Sequence, residues 1–441
     1  MDVLNDGVEL GEDQKIVWEA VKSRKNLFVT ARAGAGKSFL IEYIKDNFMG
    51  RVITTASTGI AANNVGGRTL HSQFLINPHN FDPEESAGKV GAGKRGHALR
   101  SAKLLIIDEI SMVSDRLLEC VNQICQLVRE SGDPFGGLQV AFFGDFLQLP
   151  PVFKGDSAND RICWDCDCWQ AAGIETLLMT SNFRQAGDEE FFGVLTRLRY
   201  NKLSNSDIAK IVAREVPADD SAIRIFSLNA EVDRYNLLKF NKLDRDTEHS
   251  YVANSYGEQA LIDSYWKDSL IPEVLTLRLG ARVMMCKNKE ADGGYLYNGS
   301  LGEVIGFSGI FDDDLNQSPV VKFDNGIVHT VKKEEVFSPK EKNERGALST
   351  LAMIEQVPLK LAWAVTVHKS QGQTFDSVMV NCERTFLYGQ VYVAFSRARS
   401  LSGLHVCGFN PRSRGSFSDP SIVDRYIPME QRAFERKNSN E

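Results

Sequence analysis

Residues 31–38 read Ala-Arg-Ala-Gly-Ala-Gly-Lys-Ser, the residue types that a bound polyphosphate requires. Such a ligand needs a loop with little side-chain bulk, so that backbone N–H groups can turn inward, an ammonium for the β/γ charge and a hydroxyl for a divalent cation. Ala33, Gly34, Ala35 and Gly36 supply the loop, Lys37 the ammonium and Ser38 the hydroxyl. Ala31 stands where this pattern usually has its first glycine, and its methyl group fits if the local φ is negative. Residues 104–109, Leu-Leu-Ile-Ile-Asp-Glu, end an apolar run in two carboxylates. Asp108 can hold the Mg²⁺ shell while Glu109 orients and deprotonates an attacking water, and with the loop they point to Mg²⁺-dependent hydrolysis of a nucleoside triphosphate. Gln148, in the run Gly-Asp-Phe-Leu-Gln-Leu-Pro-Pro-Val at 144–152, offers a polar sensor for the γ-phosphate. Gly91-Ala92-Gly93-Lys94 resembles a second phosphate loop, but Arg95 stands in the hydroxyl position and no apolar strand precedes it. It reads as a basic, flexible surface loop.

These groups must be held by elements of a particular kind. Residues 12–24 carry a helical apolar spacing at Ile16, Val17, Ala20 and Val21, and 26–30 read as a short buried strand leading into the glycine turn and a second helix. Short apolar runs at 51–55, 104–108 and 138–143 alternate with helix-like stretches, which predicts a parallel α/β sheet with ligands at the carboxyl ends of its strands. Between about 241 and 356 the texture changes to short β-branched runs with turn signals at Gly293-Gly294, Asn298-Gly299 and Asn325-Gly326, suggesting a β-rich insertion. The α/β texture returns from Pro358, and the tail at 411–441, rich in Ser, Arg, Lys and Glu, reads as charged and partly disordered.

Composition bounds the function. The 441 residues suit two to three domains, and 43% hydrophobic with 25% charged residues excludes a disordered scaffold. The net charge of −7 means that nucleic acid, if bound, meets a local basic groove rather than a global positive field. No apolar stretch suits a membrane span, and the acidic start, with Asp2, Asp6, Glu9, Glu12 and Asp13, is unlike a signal or transit peptide. The expectation is a soluble intracellular protein of a bacterial or phage-infected cytoplasm, with a nuclear location as the alternative. Of eight cysteines, Cys163, Cys166 and Cys168 alone cluster; they lack a fourth ligand nearby in sequence, so reduced structural thiols are expected rather than zinc.

Residues 365–375, Val-Thr-Val-His-Lys-Ser-Gln-Gly-Gln-Thr-Phe, and 389–398, Gly-Gln-Val-Tyr-Val-Ala-Phe-Ser-Arg-Ala, add Lys369, Gln371 and Arg397 far along the chain. With the loop, the acidic pair and the Gln148 run in this order, the sequence resembles superfamily 1 helicases of the 5′-to-3′ group. It is most similar to the petite integration frequency (Pif-type) family, with RecD and Dda type enzymes as relatives. The resemblance spans residues 14–404 and implies two RecA-like motor domains of α/β class, at 1–180 and at 181–240 with 357–410. It also implies a wedge insertion at 74–102 and an SH3-like insertion at 241–356.

By the same resemblance Gln14 reads adenine, and Gln371 and Gly372 join the nucleotide site. Residues 54–62 and 66–72 lie under single-stranded DNA, with Thr58, Gly59, His71, Ser72, His368 and Lys369 as contacts. Arg184 in Asn-Phe-Arg-Gln and Arg397 come from the second motor domain to the γ-phosphate, and 192–199 resemble the family's short signature, although Leu195 and Leu198 keep a core role. The implied activity is an ATP-driven DNA helicase, a monomer on single-stranded and forked DNA, with R-loops and G-quadruplexes as alternative substrates. An RNA translocase of the same superfamily and an ATP-switched loading factor are the competing readings.

Overall fold

Leu27–Ala31, the strand β1 that leads into the glycine loop, is buried at all five residues, as expected of a strand covered on both faces. Five further strands join it: β2 (Arg51–Ala56), β3 (Arg68–Thr69), β4 (Ala102–Asp108), β5 (Gln139–Gly144) and β6 (Glu175–Met179). The sheet order is β3-β2-β4-β5-β1-β6, and every pairing is parallel. Register places Thr30 opposite Gly144 and Ile107 opposite Phe142, so β1, β4 and β5 end side by side. The phosphate loop, the Asp108-Glu109 pair and the Gly144 to Gln148 turn therefore leave the sheet at one edge, where α/β folds place ligands. The structure is a computed structural model. It is described for residues 10–77, 81–151, 161–185, 187–217, 222–269, 271–287, 289–291, 294–296, 298–311, 317–338, 340–342, 348–385 and 387–439.

The helices of this part of the chain are α1 (Glu12–Lys22), α2 (Lys37–Asn47), α3 (Gly59–Asn64), α4 (Leu70–Phe74), α5 (Pro83–Gly91), α6 (Lys94–Ser101), α7 (Asp115–Arg129), α8 (Asp167–Ala171), α9 (Glu189–Arg199) and α10 (Asn205–Val212). In α1 the buried face is Gln14, Val17, Trp18 and Val21, at i, i+3, i+4 and i+7, while Ile16 is exposed; the aromatic ring wins the core over the β-branched residue. Helix α7 starts at Ser114, whose hydroxyl accepts the Leu117 N–H, and it buries a stripe at Leu117, Leu118, Val121, Ile124, Cys125 and Val128.

Two sequence expectations are corrected here. The run 91–94 is not a flexible loop: Gly91 ends α5, which Asp82 caps, and Lys94 opens α6. Val90 and Leu99 are buried, and a Cβ at Gly96 would stand 2.6 Å from the Val90 carbonyl oxygen, so glycine is what lets these helices touch. Pro78, inside the 74–102 segment, lies outside the described residues. The described part of the tail, expected to be partly disordered, is instead ordered over Pro420–Ser439, which is a helix. Ile422, Val423 and Tyr426 enter the same core as Phe28, Phe146 and Trp164, and Glu430 is buried against Arg199. Its many charges hid an apolar face whose partners lie more than 200 residues away.

The chain divides into two compact units, Met1–Glu215 with Thr385–Glu441, and Val216–Arg384. Motif order places 181–240 and 357–410 together; in the structure 181–215 and 385–410 group with the first unit instead. Their bonds explain it. The Gln185 amide donates to the Ser396 and Ala398 carbonyls, Asp188 accepts the Leu401 N–H, and Arg199 is buried against Asp145. The second unit holds β7 (Ile223–Phe226) between parallel strands Ala364–Thr366 and Val378–Asn381. It also holds the β-rich segment, whose antiparallel five-stranded sheet runs Val328–Thr330, Gln317–Phe323, Leu301–Phe311, Arg282–Met285, Leu359–Leu361. Gly299 and Gly326 both have positive φ, as their turns require, and Gly293 lies outside the described residues. Among the described residues no helix is long and apolar enough to cross a membrane.

Candidate active site

The loop between β1 and α2 is shaped by close approach. Gly34 and Gly36 have φ of +85° and +80°; a Cβ on Gly34 would stand 2.5 Å from Arg184 Cβ, and one on Gly36 would stand 2.9 Å from Gln14 Nε2. Ala31 is ordinary strand with no positive φ, so its methyl group is accommodated. Lys37 opens α2 and its Nζ donates to the Ala31 carbonyl at 3.2 Å, across the loop. Ser38 follows in the first turn of an eleven-residue helix, whose N-terminal dipole favours an anion.

Asp108 and Glu109 end β4 beside the loop. Burial, and then Glu109, push the Asp108 carboxyl up to about 7, with Lys37 pulling the other way. Asp108 Oδ1 and Glu109 Oε2 are buried without a hydrogen-bond partner among the described residues. Glu109 also has φ +50°, a left-handed backbone that costs a non-glycine residue energy and clusters at functional sites.

Arg184 and Arg397 meet this group within the same unit. Arg184 Nη1 donates to the Ser396 carbonyl at 3.2 Å, and Arg397, 2% exposed, donates from Nε to the Val393 carbonyl and from Nη2 to Ser396 Oγ, both at 2.8 Å. Desolvation lowers Arg184 to about 10, against the pull of Tyr392 and Glu109. Desolvation and then Arg184 hold Arg397 well below the ordinary guanidinium range, although Glu109 and Tyr392 oppose them. Two cations crowded beside a glycine loop suit a multiply charged anion.

The other expected residues are placed as follows. Gln14 Oε1 accepts the Gly11 N–H at 2.9 Å and Gln14 Nε2 reaches the Gly36 carbonyl at 3.4 Å, so the side chain borders the loop. Gln148 is buried and its amide faces Asp145 Oδ2 at 3.4 Å. Thr58 Oγ1 accepts the Ala61 N–H, Gly59 opens α3, and the His71 ring lies 6.1 Å from that of Phe81, with Ser72 exposed beside it. His368, Lys369, Gln371 and Gly372 belong to the second unit. There His368 Nε2 and Gln371 Nε2 are buried without a hydrogen-bond partner among the described residues, and burial lowers His368, favouring the neutral ring.

Sequence reasoning missed four residues. Phe183 is 59% exposed yet its ring would stand 3.2 Å from a Cβ on Gly36, an aromatic face beside Gln14. Its position directly before Arg184 was the available signal. Tyr392 Oη accepts the Ala33 N–H at 3.4 Å, and Gln185 ties the two arginine segments together. In the second unit the fourth is Lys360, which burial lowers, with Cys286 opposing and Lys369 adding to the fall.

Residues 9–203 match the family model described as PIF1-like helicase, and 361–404 match that of a UvrD-like helicase C-terminal domain. The chain is 36% identical over 433 residues to the ATP-dependent DNA helicase PIF1 of Danio rerio, covering 96% of this chain and 65% of that protein. It is 32% identical over 427 residues to the ATP-dependent DNA helicase Pif1 of Bdellovibrio bacteriovorus, covering 96% and 93%. The crystal structure of a Bacteroides Pif1 in complex with ADP-AlF4 is similar with a TM-score of 0.81 at 29% identity, covering 96% and 98%. The chain spans about 65% of the length of the fish protein. On this identity and coverage the chain belongs to the PIF1-like helicase family.

Proposed function

We propose that this chain is an ATP-dependent DNA helicase that translocates 5′-to-3′ on single-stranded DNA and unwinds forked or structured duplexes as a monomer. The observation that carries it is the gathering of Lys37, Asp108, Glu109, Arg184 and Arg397 around one glycine loop in one compact unit. Lys37 meets the β/γ-phosphates, Glu109 takes the proton of the attacking water, and the two arginines meet the charge that grows on the γ-phosphate. Gln14 reads the adenine edge and Phe183 stacks on its face. Gln148 turns from Asp145 to the γ-phosphate when ATP is present.

Oxygen ligands are what Mg²⁺ requires, and the unsatisfied, buried carboxylate oxygens at Asp108 and Glu109 fit it. Ser38 and Asp108 would hold the ion, which supplies positive charge to the β/γ oxygens.

Thr58, Gly59, His71 and Ser72 contact the DNA backbone from one segment, and His368 and Lys369 contact it from another. Neutral donors at most of these positions suit a motor that grips and releases. The first motor domain lies in the unit of 1–215 with 385–441, and the unit of 216–384 carries the second motor segment together with 241–356, an SH3-like insertion. Hydrolysis then loosens the hold of the Arg184 and Arg397 segments on the phosphate loop.

Residues 74–102 act as the wedge at the fork. Lys94 and His97 are exposed on α6 and Arg95 is half-buried there, so replacing these three by Ala spares the core that Val90 and Leu99 anchor. The substitution should leave poly(dT)-stimulated hydrolysis nearly unchanged and lower unwinding several-fold; an equal fall in both would place α6 in the motor. The direct test of the reading compares duplexes with a 5′ or a 3′ tail, and ATPase stimulation by poly(dT) and poly(U). Unwinding from a 3′ tail alone, or stimulation by poly(U) alone, would overturn it.

A further inference from the structure

Far from the phosphate loop in sequence, Cys166 and Cys168 bring their sulfurs to 3.1 Å of each other at the start of α8. The carboxylate of Glu119, from the second turn of α7, accepts the Cys168 backbone N–H on Oε2 at 3.3 Å. Its other oxygen accepts the Asn122 amide at 2.9 Å and the Gln123 amide at 3.5 Å, so the group is oriented before any ligand arrives. The two sulfurs and one carboxylate oxygen all lie within 4.8 Å of one another. No spacing rule could reveal this, because the third group comes from 47 residues upstream (166 − 119 = 47). Cys163, the third member of the sequence cluster, is committed elsewhere: its thiol donates to the Ile110 carbonyl at 3.4 Å.

We propose that Glu119, Cys166 and Cys168 bind one zinc ion, which fastens the start of α8 to α7. Two thiolates and a carboxylate suit zinc and exclude hard cations such as Mg²⁺ and Ca²⁺, which take oxygen ligands alone. Binding displaces both thiol protons: Zn²⁺ replaces two S–H hydrogens, two Zn–S bonds form, and two protons leave to solvent. Zinc–sulfur bonds of about 2.3 Å at a tetrahedral angle put the sulfurs about 3.8 Å apart, so they must separate by roughly 0.7 Å. A cavity of about 440 Å³, lined by Glu119, Cys166 and Asp167 with Arg116 and Arg161 on its wall, opens beside the site. The ion would join two elements that already share a core with Trp164 and Trp169.

The test uses the full chain without an affinity tag, purified with added zinc and then freed of loose metal by gel filtration. The expected result is one bound zinc per chain, and cobalt substitution giving a thiolate-to-cobalt charge-transfer band with tetrahedral visible absorption. Cys166→Ser and Cys168→Ser should each lose the ion and the band, Glu119→Gln should weaken binding, and Cys163→Ser should keep both. Less than about a tenth of an equivalent of zinc in the wild-type chain, with no cobalt band, would overturn the proposal whatever the variants do. A bond between Cys166 and Cys168 in the reduced-buffer preparation, seen as two of the eight thiols failing to react and a peptide lighter by two hydrogens, would overturn it in favour of a redox pair.

Discussion

Arg199 and Arg397 lie in the same unit, at 0% and 2% exposure, and their surroundings pull in opposite directions. Arg199 donates to both oxygens of Asp145 and both of Glu430, at 2.7 to 3.1 Å, and it lies over the rings of Tyr200 and Tyr426. Burial alone would lower it, but the two carboxylates raise it well above the ordinary guanidinium range. For Arg397 burial and the neighbouring Arg184 act together, and the net direction is downward. A cation held by its own protein is matched on every side, whereas one waiting for an external anion is kept costly until that anion arrives. Asp145 links the two regions, since the loop that follows it carries Gln148, and Gly389 packs so closely on the Gln148 carbonyl that a Cβ there would stand 2.5 Å away.

Replacing each arginine by methionine, which is unbranched and of similar length, breaks the comparison most sharply. Arg397→Met should lower DNA-stimulated hydrolysis by about 10³-fold while single-stranded DNA binding and the melting temperature hold, because it removes a transition-state cation and relieves a buried charge. Loss of DNA affinity with hydrolysis intact would reverse its assignment. Lys37→Ala should act on hydrolysis to a similar extent, and survival of more than about a tenth of wild-type turnover would sink the phosphate-loop reading. Arg199→Met should do the opposite, costing about 3–5 kcal/mol of stability by leaving Asp145 and Glu430 buried without their cation. Denaturant unfolding checks it, and an unchanged midpoint would show that the charge network contributes nothing net. Glu109→Gln sharpens the reading side alone: ATP should bind with unchanged affinity and persist unhydrolysed, which rapid filtration with labelled nucleotide would detect.

The residues gathered around the phosphate loop could be picked out in the sequence, and those of the Arg199 network could not. A phosphate loop, an acidic pair after a strand and the arginine segments are local patterns, each set by the chemistry of one ligand, and the parallel sheet followed from short apolar runs alternating with helices. Arg199 sits in a run whose leucines announced only a core, and its partner Glu430 lies in a stretch whose composition suggested disorder. Pairing across 231 residues leaves no spacing to read. Glu119 is hidden from the cysteine cluster for the same reason. Phe183 was accessible in principle, but an exposed aromatic residue has no meaning until Gly36 and Gln14 are seen beneath it.

The smallest effect asks whether the holding region also tunes the reading one. Tyr426, from the C-terminal helix, shares a short hydrogen bond with Thr30 Oγ1 on β1, immediately before the phosphate loop, and Thr30 also reaches Glu430 Oε1 at 3.3 Å. The Tyr426 ring is stacked at 5.7 Å from Trp164 and meets Phe28 and Phe146, so its apolar contacts survive removal of the hydroxyl. Tyr426→Phe should therefore cost about 1 kcal/mol, the ordinary worth of one buried hydrogen bond, because Thr30 keeps Glu430 as an acceptor. Tyr426→Ala should cost about 3–5 kcal/mol through the cavity that it leaves. If the division between holding and reading is real, both variants should hydrolyse ATP at wild-type rates at temperatures where they stay folded. A Tyr426→Phe variant that unfolds normally but turns over several-fold more slowly would show that the helix sets the position of Thr30, and through β1 the geometry of the loop itself.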